Sequence, residues 1–454
     1  MSSLISPWDT LSKLIAEKNS FDLTKYIETL SPSETARAIS RLDEEEQHLL
    51  FTLLKPEDAA DMIEDIPDEQ AADLVEEMPS ERAAAIMKEM PSDHLVDVLG
   101  EMDEDASKAI LEKMHLEDAE EARMLLEYPP DCAGGLMISE FLAYNINDNI
   151  QDVLNDLQAN RSKYADYNVQ YFYVIDDEEK LCGVLRINDL LFPAREKQLS
   201  QIMVTSPNKV SDKASIKDLE EFFEEHHLFG APVVDDSGRL VGVVLPSAVE
   251  EAVNKQKTKT FLRISGIVGG EEFRTMSLLS RSGRRLSWLS INIVLNIIAA
   301  SVIALYEDTL AAFIALAVFL PMVSDMSGCS GNQAVAVSMR ELALGLVRPA
   351  ELLWVLIKEA KVGIINGIVL GLLLGVIAFL WKGNPWLGVV VGGALAVNTL
   401  VSVTLGGMLP LILKRLKLDP ALVSSPLLTT VTDMCGFFFV LSFAAAILPK
   451  LTGV

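Results

Sequence analysis

The sequence predicts a multidomain fold, in which an α-helical superhelical N domain, a tandem α/β pair and a connecting helix precede an α-helical transmembrane region of five helices. Three patterns support this prediction: acidic residues concentrated early in the chain, prolines that recur every twelve residues, and long apolar stretches that begin only after residue 285. The predicted boundaries are 1–130 for the N domain, 131–198 and 199–252 for the α/β units, 253–285 for the connecting helix and 286–454 for the transmembrane region.

Charge divides the chain into two parts. The formal net charge is −27, although residues 271–454 hold 13 Lys or Arg and only 10 Asp or Glu. Residues 1–270 therefore carry the acidic excess, which would repel nucleic-acid phosphates, so we expect no nucleic-acid partner. The carboxylates either keep a domain soluble or bind hard cations, and the sequence leaves both readings open. The four cysteines lack the spacing of a disulfide framework or zinc site, and no cleaved signal peptide is expected.

A twelve-residue repeat within residues 20–127 predicts the N domain. Pro67, Pro79 and Pro91 are each followed by acidic or Ser residues and an apolar-periodic run, and Asp103 continues the register. Proline suits the first turn of a helix, and acidic or Ser side chains suit its N-terminal end. Because such short helices cannot bury an apolar face alone, we expect them to stack into a solenoid.

Two hairpin patterns predict the α/β units. Apolar runs flank an acidic turn within residues 169–186, and a second pair flanks a Gly-containing turn within residues 231–244. Each hairpin follows one helical pattern and precedes another, and two copies of such a β-α-β-β-α unit resemble a pair of CBS domains. This resemblance implies ATP as a candidate ligand, with Asp189 on its ribose. A helix cap is the alternative role for Asp189.

Apolar stretches of about 20 residues predict the membrane spans. They lie near 286–306, 309–327, 355–381, 386–413 and 421–448. Asp325 interrupts the end of the second span. Lys and Arg, which favour the cytoplasmic side, precede the first span and follow the second and fourth. We therefore expect a multi-pass protein of the cell (plasma or inner) membrane, surrounded by lipid, with a cytoplasmic N-terminus.

Four glycines of the third span share one helix face, a spacing that favours close helix packing. They are Gly363, Gly367, Gly371 and Gly375.

Asp433 is the leading candidate for a functional residue. It lies near the middle of the fifth span, among hydroxyl side chains and after Pro426. Charged groups within a membrane are costly and usually functional, and a carboxylate among hydroxyls suits a hard cation. The alternative is an aspartate without a functional role, whose carboxylate accepts hydrogen bonds from neighbouring hydroxyls inside the helix bundle. Asp325 and Glu359 are weaker candidates, because either could lie at the membrane interface.

The order of acidic helical repeats, two CBS-like units, a connecting helix and five spans resembles the MgtE family of magnesium channels. The resemblance covers nearly the whole chain. Its strongest segment is 418–426, which continues to Asp433. Further similar segments are 128–137 and Gly331-Asn332-Gln333 with Arg340.

The resemblance implies a homodimer with a pore between its subunits, through which Mg²⁺ enters the cytoplasm. It implies that Asp433 holds a hydrated Mg²⁺, with the backbone oxygen of Thr429 and the side chain of Asn332 as further pore ligands. Asp419 and Asp325 are additional metal candidates, at a regulatory site or the pore entrance. The resemblance also implies that cytoplasmic Mg²⁺, bound between acidic faces of the helical domain, the CBS pair and the connecting helix, closes the pore.

The sequence departs from the family pattern after the second CBS-like unit. The family has an acidic stretch where this chain has Asn254-Lys255-Gln256-Lys257-Thr258-Lys259. Lysines cannot ligate Mg²⁺ and would repel it, so we expect Mg²⁺-dependent closure to be weakened or absent. Lys257 or Lys259 is expected to pair with Asp419 instead.

Two other functions stay open. One is a transporter or exchanger for other divalent cations such as Co²⁺ or Mn²⁺, and the other is a non-transporting membrane sensor of Mg²⁺. A polar site at membrane depth argues against the sensor, which needs none. An enzyme is not expected, because the sequence shows no phosphate-binding loop, nucleophile–base pair or metal-hydrolase spacing.

Overall fold

The computed structural model describes residues 6–161, 163–164, 167, 170–267, 274, 276 and 278–452. The chain forms two compact units, Met1–Gln256 and Lys257–Val454. The first unit contains the predicted short helices and two sheets, and the second contains the long apolar helices. The predicted fold class is therefore confirmed.

Short stacked helices form the first part of the first unit. They are α1 Pro7–Glu17, α2 Ser20–Ile27, α3 Pro32–Ile39, α4 Glu44–Leu53, α5 Pro56–Glu64, α6 Asp68–Glu76, α7 Ser80–Met87, α8 Ser92–Glu101, α9 Glu104–Leu111 and α10 Leu116–Leu126. Pro67, Pro79 and Pro91 directly precede α6, α7 and α8, as N-cap residues rather than within the first turn. Each helix buries one face, including Val75 of α6 and Ile86 of α7, as the repeat predicts.

Two sheets with their flanking helices complete the first unit. The elements are α11 Ala133–Leu136, β1 Met137–Ile138, β2 Leu142–Asn145, α12 Ile150–Ala159, β3 Tyr171–Ile175, β4 Leu181–Arg186, α13 Ile187–Leu191, a 3₁₀ turn at Leu199–Gln201, β5 Val204–Thr205, β6 Val210–Ser211, α14 Ile216–His226, β7 Ala231–Val234 and β8 Leu240–Val244. The antiparallel pairs β3–β4 and β7–β8 are the two predicted hairpins.

The two sheets exchange one strand each. Their strand orders are β1-β8-β7-β6 and β2-β3-β4-β5, so β1 joins the later hairpin and β5 joins the earlier one. The predicted boundary after residue 198 therefore divides the two sequence repeats, but it does not coincide with the division between the two sheets. Buried side chains of the later sheet, such as Val233, belong to the same core as buried side chains of the N-terminal helices, such as Leu99. Burial of this shared apolar surface holds the helical domain onto the later sheet.

The helix after β8 is shorter than the predicted connecting helix. This helix, α15, spans Pro246–Ile264. Gly266 has a φ of +81°, a left-handed conformation that favours glycine and commonly ends helices. The N–H of Ile267 donates to the carbonyl of Leu262 at 3.0 Å, which closes this helix end. The predicted extent of 253–285 is therefore corrected, and residues 268–273, 275 and 277 lie outside the described residues.

Long helices dominate the second unit. Its helices are α16 Leu278–Ala304, α17 Glu307–Ala312, α18 Leu316–Ala343, α19 Leu352–Lys382, α20 Pro385–Arg415, α21 Pro420–Ala446 and α22 Leu448–Thr452. Among the described residues, four segments are long and apolar enough to cross a membrane: Arg281–Ala304, Leu352–Lys382, Pro385–Arg415 and Ser424–Ala446. They correspond to the predicted first, third, fourth and fifth spans.

The predicted second span, 309–327, is not one helix. It covers parts of α17 and α18. The helical conformation is interrupted between them at Phe313, whose φ of −143° is not helical. Helix α18 has 28 residues, about 42 Å at the usual rise, which exceeds the hydrocarbon thickness of a bilayer. Its polar residues, including Asp325 and Asn332, keep it outside the four apolar segments.

The glycine face of α19 packs directly against the backbone of α20. A Cβ atom at Gly367 would lie 2.5 Å from the carbonyl oxygen of Ala396, and one at Gly371 would lie 2.5 Å from that of Gly392. The predicted packing role of these glycines is confirmed. Other apolar side chains of α19 are mostly exposed, as a lipid-facing surface would be. They include Leu353, Ile365, Leu372 and Leu380.

Candidate functional site

The candidate site of the second unit is built around Asp433 on α21. Its carboxylate is half-buried and accepts a hydrogen bond from the hydroxyl of Ser324 on α18. Helices α18 and α21 approach closely at this level, because two small residues face the opposing helices. A Cβ atom at Gly328 would lie 3.7 Å from the Thr432 hydroxyl, and one at Gly436 would lie 3.5 Å from the Cα atom of Ser324.

Asn398 on α20 joins the three helices next to Asp433. Its side chain is fully buried, and its amide nitrogen donates to the carbonyl of Thr432 at 3.0 Å and to the hydroxyl of Ser327. Its side-chain oxygen has no hydrogen-bond partner among the described residues. A buried acceptor without a hydrogen-bond donor lowers the stability of the folded protein. This amide is therefore unusual in a helix of otherwise small and apolar residues.

Buried hydroxyls extend the polar layer around these residues. The Ser402 hydroxyl donates to the backbone carbonyl of Ser327, which ties α20 to α18. Buried polar side chains of this layer include Ser324, Ser327, Asn398, Ser402 and Thr432. A carboxylate, hydroxyls and amide oxygens are the ligands that hard cations prefer. The cluster can therefore interact with a divalent cation or with the water molecules around it.

Asn332 and Thr429 lie at a different level from Asp433. Asn332 is eight residues after Ser324 on α18, which corresponds to about 12 Å along a helix. Its side-chain oxygen is buried without a hydrogen-bond partner in the described part of the chain. The backbone oxygen of Thr429 accepts a hydrogen bond from the Thr432 hydroxyl at 3.0 Å. Asn332 is thus separated from Ser324 along α18, and Thr429 lies one helical turn before Asp433 on α21. Their role as pore ligands stays a prediction.

Asp325 and Asp419 have different surroundings from Asp433. Asp325 is exposed on α18. Asp419 is the N-cap of α21, where its carboxylate accepts from the N–H of Ala421 and from Arg263, each at 2.9 Å. The prediction that Lys257 or Lys259 pairs with Asp419 is wrong, because Arg263, one turn after Lys259 on α15, makes this ion pair.

Asp189 caps a helix in the first unit. Its carboxylate accepts hydrogen bonds from the backbone N–H and the guanidinium of Arg186, at 2.9 and 3.2 Å. Burial acts to raise the pKa of Asp189, but these hydrogen bonds outweigh it and lower the pKa below the ordinary value. The capping alternative from the sequence is thus observed.

An open, shallow cleft lies elsewhere between the two sheets. It is lined by Ile138, Glu140, Phe141, Leu142, Gln170, Tyr171, Tyr173, Phe229, Gly230, Val243 and Leu245. Asp189 is not part of its lining. Glu140 is tied to α8, because its carboxylate accepts from the N–H and the hydroxyl of Ser92, at 3.0 and 2.7 Å.

Asn398 and Ser324 were missed by reasoning from the sequence. The sequence feature that could have identified Asn398 was an amide side chain within the span 386–413, whose other residues are mostly small or apolar. Polar side chains within membrane helices commonly form hydrogen bonds to neighbouring helices. Over the described ranges, no group of three or more His, Cys, Asp or Glu side chains is arranged to hold a metal ion.

Comparisons with family models point to one family over most of the chain. A model described as the divalent cation transporter MgtE matches residues 320–443, and one for the MgtE intracellular N domain matches residues 30–131. A CBS domain model matches residues 133–193 and 199–254.

Individual relatives agree with the family models. The magnesium transporter MgtE of Thermus thermophilus is 31% identical over 329 residues, which cover 72% of each chain. That of Bacillus subtilis is 28% identical over 344 residues, 75% of each chain. A crystal structure of the soluble part of a magnesium transporter has a TM-score of 0.50 at 23% identity, covering 55% of this chain and 98% of that one, which supports the fold alone. Inosine-5′-monophosphate dehydrogenase of Nitrosopumilus maritimus matches only 25% of this chain.

Proposed function

This chain belongs to the MgtE family, and we propose that it carries Mg²⁺ across the cell membrane into the cytoplasm along a pathway that passes Asp433. One observation carries the proposal: a half-buried carboxylate lies among hydroxyl and amide groups where apolar membrane helices pack together. Charged groups are rarely kept at such a depth without a functional role. Mg²⁺ dehydrates reluctantly, so a carboxylate would contact the ion through its water shell.

We further propose that α18 crosses the membrane as the second span, which brings the number of spans to five, and that two copies of the chain form the pore. Five spans with a cytoplasmic N-terminus satisfy the distribution of Lys and Arg around the spans. Helix α18 contributes Ser324 to the candidate site, and its polar residues suit the lining of a water-filled path rather than contact with lipid. A pore between two subunits would bring two copies of Asp433 to one ion.

Growth of a bacterial strain that lacks its own Mg²⁺ uptake systems tests the proposed function. We expect expression of this chain to restore growth at low external Mg²⁺, whereas an empty vector should not. A sensor that transports nothing would leave the strain unable to grow, and that result would overturn the proposal. Competition of Mn²⁺ and Co²⁺ with Mg²⁺ uptake distinguishes a Mg²⁺ pathway from a transporter of other divalent cations.

Asn398→Leu should reduce Mg²⁺ uptake about tenfold. Leucine keeps most of the volume but removes the donor to Thr432 and Ser327, and a lost buried hydrogen bond costs roughly 1–3 kcal/mol. Uptake should be measured per folded molecule at the cell surface.

Thr399→Val is the matched control for Asn398→Leu. Thr399 is also fully buried on α20, but its hydroxyl has no hydrogen-bond partner among the described residues. Valine should therefore keep wild-type uptake. Equal uptake by the Asn398 and Thr399 variants would show that the amide does not support the pathway.

Mg²⁺ on the cytoplasmic side should change the conductance little. On α15, lysines stand where the family has an acidic stretch. The carboxylate of Asp419 is already paired with the guanidinium of Arg263. We expect currents in excised patches to stay within about twofold between EDTA and millimolar cytoplasmic Mg²⁺, below the roughly fivefold or larger effect of a typical allosteric ligand. A steep closure at millimolar Mg²⁺ would contradict this expectation.

ATP is a second candidate ligand, and the cleft between the sheets favours it. Tyr171 and Phe229 line the cleft with ring centroids 6.4 Å apart, and aromatic rings can stack on a base. We expect Tyr171→Ala to weaken ATP binding about tenfold, since stacking contributes roughly 1–3 kcal/mol per base. Asp189→Asn is the control and should bind like wild type, because Asp189 lies outside the cleft. Titration calorimetry on the full chain measures both, and absence of binding to wild type would remove ATP as a ligand.

A further inference from the structure

Lys255 on α15 reaches three carboxylates from three helices of the first unit. Its ammonium nitrogen lies 2.7 Å from Asp68 on α6, 3.0 Å from Asp97 on α8 and 3.0 Å from Glu251 one turn earlier on α15. Asp68 and Asp97 belong to the helical-repeat domain, whereas Lys255 and Glu251 follow the second α/β unit along the chain. One side chain thus cross-links elements that are 158 and 187 residues apart in sequence.

The surroundings keep this ammonium charged. The Lys255 side chain is only 32% exposed. Burial acts to lower its pKa, but the carboxylates of Asp97 and Asp68 outweigh that effect and raise the pKa above its ordinary value. Burial also raises the pKa of Asp97, which the Lys255 ammonium opposes. Without the ammonium, the carboxylates would be left close together and uncompensated, an arrangement that is strongly unfavourable away from water.

The geometry fits an ammonium group better than a bound metal ion. An ammonium has three N–H donors, and three carboxylates surround this one. The nitrogen–oxygen distances of 2.7 to 3.0 Å are hydrogen-bond lengths. They exceed the Mg²⁺–oxygen distance of about 2.0–2.1 Å, and Mg²⁺ demands a near-ideal octahedron of ligands.

We propose that Lys255 is a structural cross-link, whose ammonium, rather than a divalent ion, holds α6 and α8 against α15. The contact of α6 and α8 with α15 then does not depend on the Mg²⁺ concentration. This inference deepens the proposed weak response to cytoplasmic Mg²⁺ and assigns a residue to it. Its test measures the cytoplasmic unit directly, so that it can fail or succeed independently of ion transport.

Hydrogen–deuterium exchange of the full-length protein in nanodiscs, read on peptides from α6 and α8, tests the inference. Wild-type exchange should be the same in EDTA and in millimolar Mg²⁺. Lys255→Met should exchange about tenfold faster in EDTA, because it leaves partly buried carboxylates unpaired. Mg²⁺ should leave the faster exchange of this variant unchanged, because the carboxylates around Lys255 are spaced for an ammonium group rather than for Mg²⁺.

Two variants and one internal reference control the experiment. Lys255→Arg keeps the positive charge and should exchange like wild type. Lys259→Met removes an exposed lysine one turn later on α15 and should match wild type. Peptides from β3 and β4 should be unchanged in every variant, which shows that the unit remains folded.

Three results would overturn the inference. The first is wild-type exchange in α6 and α8 that slows when Mg²⁺ is added. The second is wild-type exchange rates in Lys255→Met. The third is faster exchange in Lys255→Met that Mg²⁺ reverses, since this would show that the carboxylates form a divalent-cation site that Lys255 only blocks.

Discussion

The double variant Gly367→Ala/Gly371→Ala is expected to unfold at a markedly lower temperature than wild type. Each added Cβ atom would lie 2.5 Å from a backbone carbonyl oxygen of α20, and a backbone cannot move aside as a flexible side chain can. Extra methyl groups in a well-packed interface typically cost about 1–3 kcal/mol each. Thermal unfolding of the detergent-solubilised protein, followed by size-exclusion chromatography, measures the effect.

Gly393→Ala is the matched control for this substitution. Gly393 lies within the partner helix α20, but the nearest atom to an added Cβ would be in the ring of Phe443 at 3.8 Å, an ordinary contact. Alanine is the better helix former by about 1 kcal/mol, so this variant should be at least as stable as wild type. A double variant as stable as Gly393→Ala would show that the close packing of α19 and α20 does not limit stability.

The elements most accurately predicted from the sequence are those with a strong local signal. The twelve-residue spacing of Pro67, Pro79 and Pro91 predicts the starts of α6, α7 and α8, because proline disrupts a helix interior but is compatible with its beginning. Alternating apolar residues around short turns predict both hairpins. The exchange of β1 and β5 between sheets was not predictable in this way, because strand pairing across the sequence leaves no local pattern.

Errors in the predicted elements arise where one residue or a short break changes the backbone. Hydrophobic periodicity alone continues through Gly266, whose positive φ ends α15. Similarly, the apolar run 309–327 hides the break at Phe313 that separates α17 from α18. In both places composition indicates a helix, but backbone conformation sets where the helix ends.

The candidate site was only partly predictable. Asp433 is conspicuous as a charged residue within an apolar span, although its role as an ion ligand stays a prediction. Asn398 carries no charge, so its links to Thr432 and Ser327 appear only when three helices are packed together. The sequence shows Lys255 as a basic residue where the family has an acidic stretch. Its partners Asp68 and Asp97 lie too far away in sequence to be identified without the fold.

Asp433→Asn is expected to cause the largest loss of function. Asparagine keeps the size of the side chain and can still accept a hydrogen bond from Ser324, but it removes the negative charge that would attract a divalent cation. Loss of about 1.4 kcal/mol of attraction already lowers occupancy tenfold, and a dimeric pore would lose two carboxylates. We therefore expect Mg²⁺ flux to fall at least about tenfold while the protein remains folded.

Mg²⁺ entry into liposomes that contain the purified protein and a Mg²⁺-sensitive dye tests the central claim most directly. Wild type should fill the liposomes with Mg²⁺, and Asp433→Asn should fill them at least about tenfold more slowly. Asp308→Asn removes an exposed acid of α17 and should match wild type. Undiminished flux through Asp433→Asn would contradict a Mg²⁺ pathway that passes Asp433.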